Sequence, residues 1–426
     1  MRNFLFFTLM LFQATWIIAQ PITWKDSPVQ IQSNTELSES RLEVIDQMLG
    51  AAILEGEIPG AVALIAKDGK IVYQKAFGTA NETGRALKTT DIFRIASQTK
   101  AITATAVMIL WEEGKFRLDD PVSKFIPEFS SPRIIQTFNE ADSSYTSVPA
   151  ARSITIRHLL THTSGIGYGV IDGDPRIKKI YSKAGVIDLF SSANISIENN
   201  VKKLAKLPLH HEPGEKFTYG EGLDVLGYLI EIISGQPLDV FFKERIFEPL
   251  GMKDTGFYFS ENKTERLVAI QHKSDDKWVN YPVTFYDPNY PVLGSKRFFS
   301  GGAGLSGTAH DYFRFLQMYL NGGILDGERI LSPTTIKTIM QNQIGDLWGG
   351  DEKYYGLAFG ILTERGEANG GEGSAGTFDW GGYFNTQYFA DPSENIVGIL
   401  MKQTQGNTND QTAWKFRQMV FASLEN

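Results

Sequence analysis

Apolar positions change their spacing along the chain, and each change marks an element. Residues 37–55 put Leu42, Ile45, Met48 and Leu49 on one face, the spacing of an amphipathic helix. Two continuous apolar runs follow at 61–66 and 71–78, and Lys67-Asp68-Gly69-Lys70 between them carries the Asp-Gly signal of a tight hairpin. Residues 91–96 read as a further short strand. Helical spacing then holds over 98–113, and Gly114 stands where a helix stops. In the middle of the chain, 156–160 and 223–234 are expected as helices. The stretches 129–153 and 165–183, rich in Ser, Pro, Gly and Asp, are expected as loops. The glycine-rich segment 301–307 precedes a helix over 309–320. Strand-like runs return at 355–363, 377–389 and 396–403, with a turn at 391–395 and a closing helix over 411–424.

Strands at both ends and helices between them predict an α+β fold. The terminal segments join in one antiparallel sheet flanked by helices, and the middle of the chain forms a mostly helical inserted lobe. On this reading the α/β lobe takes residues 37–96 and 300–426, the helical lobe takes 97–299, and a ligand site is expected in the cleft between them.

The first residues read differently. Arg2, an apolar run over 4–18 and the small residue Ala19 have the pattern of a secretory signal peptide over 1–19, followed by a polar linker over 20–36. The rival is an uncleaved anchor, but the run is shorter than the roughly 20 residues of a comfortable span. No later stretch is apolar enough to cross a membrane, so the expectation is an exported protein, periplasmic or extracellular, with no membrane span after cleavage.

Composition narrows the chemistry. Of 426 residues, 41 are Lys or Arg and 49 are Asp or Glu, a net charge of −8 without a long basic run, which argues against a nucleic-acid partner. There are no cysteines, which excludes disulfides, zinc–thiolate sites and a cysteine nucleophile.

Ser97-Gln98-Thr99-Lys100 is the first candidate for chemistry. A serine hydroxyl needs a base, and residues i and i+3 share a helix face, so Lys100 can reach Ser97. The other reading is a serine that only caps the helix. Ser260-Glu261-Asn262-Lys263 and Ser274-Asp275-Asp276-Lys277 repeat the spacing in polar stretches and read as surface coincidences. Tyr219, in Pro213-Gly214-Glu215-Lys216-Phe217-Thr218-Tyr219, and Trp380-Gly381-Gly382-Tyr383 stand out next. Each has an ordinary alternative, a core tyrosine and a β-bulge. His158 and His162, four apart, lack the glutamate of a zinc-protease helix, and a structural role is expected for both. The same holds for His210-His211-Glu212. Gly-x-Gly-x-x-Gly occurs at 302–307 and 371–376, but neither copy sits in a βαβ unit, so both read as turn chemistry. There is no Gly-x-Ser-x-Gly elbow.

Together these segments resemble the serine β-lactamase-like superfamily of class C β-lactamases, DD-peptidases and related esterases. The resemblance rests on Ser97–Lys100, on Ile154 through Gly165 with its Leu160-Thr161-His162-Thr163-Ser164-Gly165 core, on Pro213 through Tyr219, on Phe247-Glu248-Pro249-Leu250-Gly251-Met252 and on Trp380-Gly381-Gly382, in that order over about 42–421. It implies a β-lactamase/transpeptidase-like fold and an acyl-enzyme on Ser97. Lys100 and Tyr219 would be the base system, and the N–H groups of Ser97 and Tyr383 the oxyanion hole. No metal or organic cofactor is implied.

Two departures bear on substrate. The second motif, Tyr-x-Asn in class C enzymes, is Tyr219-Gly220-Glu221, and an ionised carboxylate only accepts hydrogen bonds. Trp380 stands where a Lys or His usually faces a substrate carboxylate, and this Trp-Gly-Gly variant is similar to that of the superfamily's esterases. An arginine from another loop is one way to restore the charge, and the sequence leaves it open. The expected substrate is therefore a small-molecule ester. The alternatives are a peptide-like substrate of a D-amino-acid peptidase or amidase, a weak β-lactamase, or a non-catalytic binding protein on the scaffold. Trp348, Phe378 and Tyr383 are candidates for the acyl pocket, and the sequence leaves the oligomeric state open.

Overall fold

The computed structural model describes residues 37–370, 373–406 and 409–425. The expected signal peptide and linker lie outside the described residues. Helix α1 (Glu39–Leu54) leads into the hairpin of β1 (Gly60–Lys67) and β2 (Lys70–Gly78). Its two turn residues, Asp68 at φ +52° and Gly69 at φ +76°, have the left-handed backbone that an Asp-Gly hairpin demands. Helix α2 (Thr99–Glu112) stops at Gly114, whose φ is +71°. Helices α3 (Gly222–Ser234) and α4 (Ala309–Leu320) follow. The chain ends with strands β3 (Lys353–Tyr355), β4 (Gly360–Leu362), β5 (Phe378–Gly382), β6 (Thr386–Asp391), β7 (Ile396–Met401) and helix α5 (Thr412–Ala422).

Among the described residues these strands form one seven-stranded antiparallel sheet in the order β3-β4-β5-β6-β7-β1-β2. β1 pairs with β7 from Val62–Met401 to Lys67–Ile396, so both chain ends build the sheet, as the strand pattern predicts. Side chains alternate along β1. Ala61, Ala63 and Ile65 meet Leu42, Ile45 and Leu49 of α1 and Phe416 and Val420 of α5 on the outer face. Val62, Leu64 and Ala66 join the larger core with Phe315 and Leu316 of α4 on the inner face. Burial on both faces is why β1 reads as a continuous apolar run.

Several expectations need correction. Within 129–153 the chain forms a two-stranded ribbon, Arg133–Phe138 with Tyr145–Pro149. Most of its positions stay at least partly exposed, so it carries no apolar alternation to read. Within 165–183 lies the start of a helix, Pro175–Ala184, opened by the Asp174 side chain and Pro175 and closed by Gly185 at φ +66°. These are ordinary start and stop signals in a segment otherwise dominated by turn residues. The run 377–389 is two strands: β5 and β6 reverse at 383–385, where Asn385 has φ +65°. The run 355–363 likewise divides into β3 and β4, which pair with each other. The strand at 91–96 shrinks to Phe93–Arg94, paired with Ser306–Gly307 outside the main sheet.

Candidate active site

A short 3₁₀ turn, Ala96–Gln98, carries Ser97 into α2. Ala96 has φ +43°, a conformation that costs an L-residue roughly 1–2 kcal/mol. Ile95, just before it, donates its N–H to the Leu305 carbonyl at 3.1 Å. One turn on, Lys100 is 1% exposed and Ser97 7%. The Lys100 ammonium donates to Ser97 Oγ at 3.2 Å, to the Gly302 carbonyl at 2.7 Å and to Tyr168 Oη at 3.4 Å. Three acceptors match the three N–H bonds of an ammonium. Its Nζ also lies 4.7 Å from the centroid of the Tyr219 ring, within cation–π range. The structure thus brings Ser97, Lys100 and Tyr219 together.

No sequence motif singles out Tyr168. It is 1% exposed and stacks on Tyr219 with centroids 5.6 Å apart. Burial first, then the charges of Tyr219, Asp224 and Glu221, push its phenol well above the usual tyrosine range, so it rests as a neutral O–H. Its signal was available three residues past the Thr163-Ser164-Gly165 stretch, in Gly165-Ile166-Gly167-Tyr168.

The C-terminal strand motif meets this turn edge-on. A Cβ on Gly382 would lie 2.4 Å from the Ile95 carbonyl and 2.3 Å from Thr386 Oγ1, so only glycine lets β5 press against the segment leading to Ser97. At Gly381 the nearest atoms would be 3.3 and 3.5 Å away. Tyr383 follows in the turn, half-buried, its hydroxyl accepting from Gln405 Nε2 at 2.9 Å. Trp380 lies 5.9 Å from Tyr219 and 5.8 Å from Trp348, which in turn packs on Phe217 and Tyr355. This is an aromatic wall without charge. The nearby cations do not restore one. Lys353 and Arg417 both donate to Asp379 Oδ2, and Asp379 alternates with Trp380 on the opposite face of β5. Arg94, three residues before Ser97, is buried and spent on the Tyr290, Val268 and Pro288 carbonyls. Of the three acyl-pocket candidates, Trp348 belongs to this wall and Tyr383 to the turn beside it. Phe378 is core, packed on Phe359 and Tyr319 of α4, because the sheet there is covered by that helix.

Glu221 caps the start of α3 and is 1% exposed. Burial first, then its neighbours Asp188 and Asp224, hold its carboxyl well above the usual range. Burial thus favours the protonated form of Glu221, which donates as well as accepts, whereas the ionised form only accepts. Asp188 and Asp224 are also pushed up by burial.

The histidines have structural work. His158 Nδ1 accepts from Thr155 N and completes a capping box. His162, at φ +55°, accepts the Gly220 N–H on Nδ1 and packs on Tyr219, Phe217 and Tyr355. Burial and the Lys100 charge lower it well below the usual histidine range, so it stays neutral. His210 binds Asp172 and His211 binds Thr218. Ser260–Lys263 and Ser274–Lys277 lie far from this arrangement in sequence. Ser260 is exposed and bonded to Asn262, while Ser274 and Lys277 pair across a surface hairpin.

Known proteins agree with this architecture. Esterase EstB of Burkholderia gladioli is 32% identical over 384 residues, covering 84% of this chain and 90% of EstB. Lovastatin esterase of Penicillium rubens is 30% identical, covering 83% of this chain and 91% of the other. Among solved structures, EstCE1, described as a hydrolase with promiscuous acyltransferase activity, superposes with a TM-score of 0.75 at 28% identity, covering 90% of this chain and 99% of EstCE1. The Beta-lactamase family model matches residues 43–420. The chain therefore belongs to the β-lactamase family and is a serine hydrolase with esterase relatives.

Proposed function

We propose that the protein is an exported carboxylesterase that works through an acyl-enzyme on Ser97. One observation carries the reading: Ser97 Oγ lies 3.2 Å from buried Lys100 Nζ, beside an aromatic wall whose neighbouring cations among the described residues, Lys353 and Arg417, are paired with Asp379. Ser97 Oγ attacks the ester carbonyl carbon and gives its proton to the Lys100/Tyr219 base system, whose accepting member is deprotonated for this step. The N–H groups of Ser97 and Tyr383 stabilise the oxyanion, a role supported by the contact between Gly382 and the Ile95 carbonyl. When the tetrahedral adduct collapses, the C–O bond to the alcohol breaks, and the base system returns the proton to the leaving oxygen. Water then attacks the acyl carbon and loses a proton to the same base, the bond from that carbon to Ser97 Oγ breaks, and the base returns the proton to Ser97 Oγ as the acid leaves. Tyr168, a neutral phenol, helps to orient Lys100. The esterase relatives support an ester over a peptide or β-lactam, and so does Trp380 in place of a cation. The signal-like pattern over 1–19 supports export.

The test is hydrolysis of p-nitrophenyl acetate and butyrate by the wild type and Ser97→Ala, with nitrocefin as the β-lactam control. The expected result is ester turnover that the substitution reduces by at least roughly 10³-fold, with little nitrocefin cleavage. Turnover surviving in Ser97→Ala would overturn the assigned nucleophile. Nitrocefin cleavage faster than ester cleavage would overturn the substrate class.

A further inference from the structure

The glycine-rich segment at 300–307 contains one of the two Gly-x-Gly-x-x-Gly matches, read from sequence as turn chemistry. Its surroundings give it a more specific place. It lies along the first turns of α2 and takes hydrogen bonds from that helix at successive positions. Lys100 donates to the Gly302 carbonyl at 2.7 Å and Thr103 to the Gly301 carbonyl at 2.6 Å, while Leu305 N donates to Thr99 Oγ1 at 3.1 Å. The glycines allow the approach. A Cβ on Gly301 would lie 2.5 Å from the Leu223 carbonyl, and one on Gly302 would lie 2.4 Å from Asp224 Oδ2.

Asp224 is what holds this segment from behind. It sits in the first turn of α3, 3% exposed. Its Oδ1 accepts from Ser300 Oγ at 2.6 Å and from the Gly302 N–H at 3.2 Å. Ser300 Oγ in turn accepts from Ala303 N at 3.0 Å. Asp224 thus grips residue 302 by its N–H, and Lys100 binds the carbonyl of that same residue. A shift of the segment moves the shortest of the three hydrogen bonds that aim Lys100 at Ser97.

We infer that Asp224 is a positioning residue for the serine chemistry, acting on Lys100 through Ser300 and the Gly302 peptide; this rests on the reading of Ser97 and Lys100 as catalytic residues. The inference ties the second motif's helix to the first motif's lysine through a segment that neither motif contains.

The experiment compares Asp224→Ala, Asp224→Asn and Ser300→Ala with the wild type. It follows p-nitrophenyl butyrate turnover and the rate and amplitude of Ser97 labelling by a fluorophosphonate. Asp224→Ala is expected to lower kcat and the labelling rate constant together by roughly 10- to 100-fold, with KM within about threefold and full labelling amplitude. Asparagine keeps an oxygen for Ser300 and Gly302, so Asp224→Asn is expected to recover most of the loss, and Ser300→Ala is expected to fall between the two. If Asp224→Ala fails to fold, the contrast of Asp224→Asn with Ser300→Ala carries the test. A reduced labelling amplitude at an unchanged rate would mean that Asp224 only keeps the protein folded, and would overturn the inference. Asp224→Asn as poor as Asp224→Ala would overturn it too, since the charge and not the grip would matter. Ser97→Ala is run alongside. Turnover surviving there sinks the catalytic assignment itself, whatever the Asp224 variants do.

Discussion

Two helices begin at the site, and they begin in opposite electrostatic styles. Helix α2 has no acidic residue in its first turn and places a buried cation, Lys100, at its second position. The positive end of a helix dipole disfavours a cation there. Helix α3 does the reverse, with the acidic residues Glu221 and Asp224 at its start; acidic groups suit a helix N-terminus, but burial raises both of these above the ordinary carboxyl range. The cation at the start of α2 is answered from outside its own helix, by the Gly302 carbonyl and the Asp224 behind it. Both starts bury groups that local rules disfavour, and the start of α2 draws its compensation from tertiary contacts. A rule broken at a helix start and answered elsewhere is the mark expected of a functional site.

The largest effect that separates these two starts is Lys100→Met. Turnover is expected to fall by roughly 10³-fold or more. The melting temperature is expected to stay within about 3 °C, because the lost hydrogen bonds and the relief of a buried cation at a helix start oppose each other. A melting temperature that collapses with activity would show that the lysine is a structural keystone and break the comparison. Next is the strand that presses on the α2 start. Gly382→Ala must displace the Ile95 carbonyl, and turnover is expected to drop roughly 10- to 100-fold. Gly381→Ala brings its Cβ to 3.3 Å from the Thr386 carbonyl, a tight contact relieved by a shift of a few tenths of an ångström, and is expected to stay within about threefold of the wild type by the same assay. Equal losses in the two would mean that close approach to Ile95 is not what Gly382 supplies.

The smallest effect concerns Glu221. Burial and acidic neighbours raise its folded-state value above that of the unfolded chain. The folded protein therefore holds this proton more tightly, and the resulting stability is full below the ordinary carboxyl range of about 4.3. It is lost as pH rises through the folded value. A glutamine at this position does not titrate. Thermal melts of Glu221→Gln between about pH 5 and 8 should show a flatter decline than the wild type, with Asp188 and Asp224 supplying what slope remains. An unchanged slope would mean that Glu221 is ionised.

Much of this was legible in the chain, and the limits have physical reasons. The Asp68-Gly69 hairpin, the apolar strand run of β1 and the Ser97–Lys100 spacing are short-range, so periodicity and turn chemistry expose them. The ribbon at 133–149 was not legible, because a half-exposed strand pair need not alternate. Phe378 and Trp380 share one face of β5, yet one enters the core and the other the aromatic wall. The helix that decides between them, α4, is distant in sequence. Asp224 and Gly302 were missed for the same reason. Their bond joins segments that are remote in the chain, and no local pattern announces it.

The pairing of Lys67 with Ile396 has a consequence for how activity arises. Strand β1 leaves one edge open until β7 exists, and residues 68–395 lie between the two paired positions. Loop closure of that length is slow, and an unpaired apolar strand is exposed to mispairing meanwhile. Gly382, which abuts the segment leading to Ser97, belongs to the same late-made sheet. The nucleophile's surroundings are therefore complete only once β5 has been made, so a chain stalled or clipped before β5 carries the serine without its site.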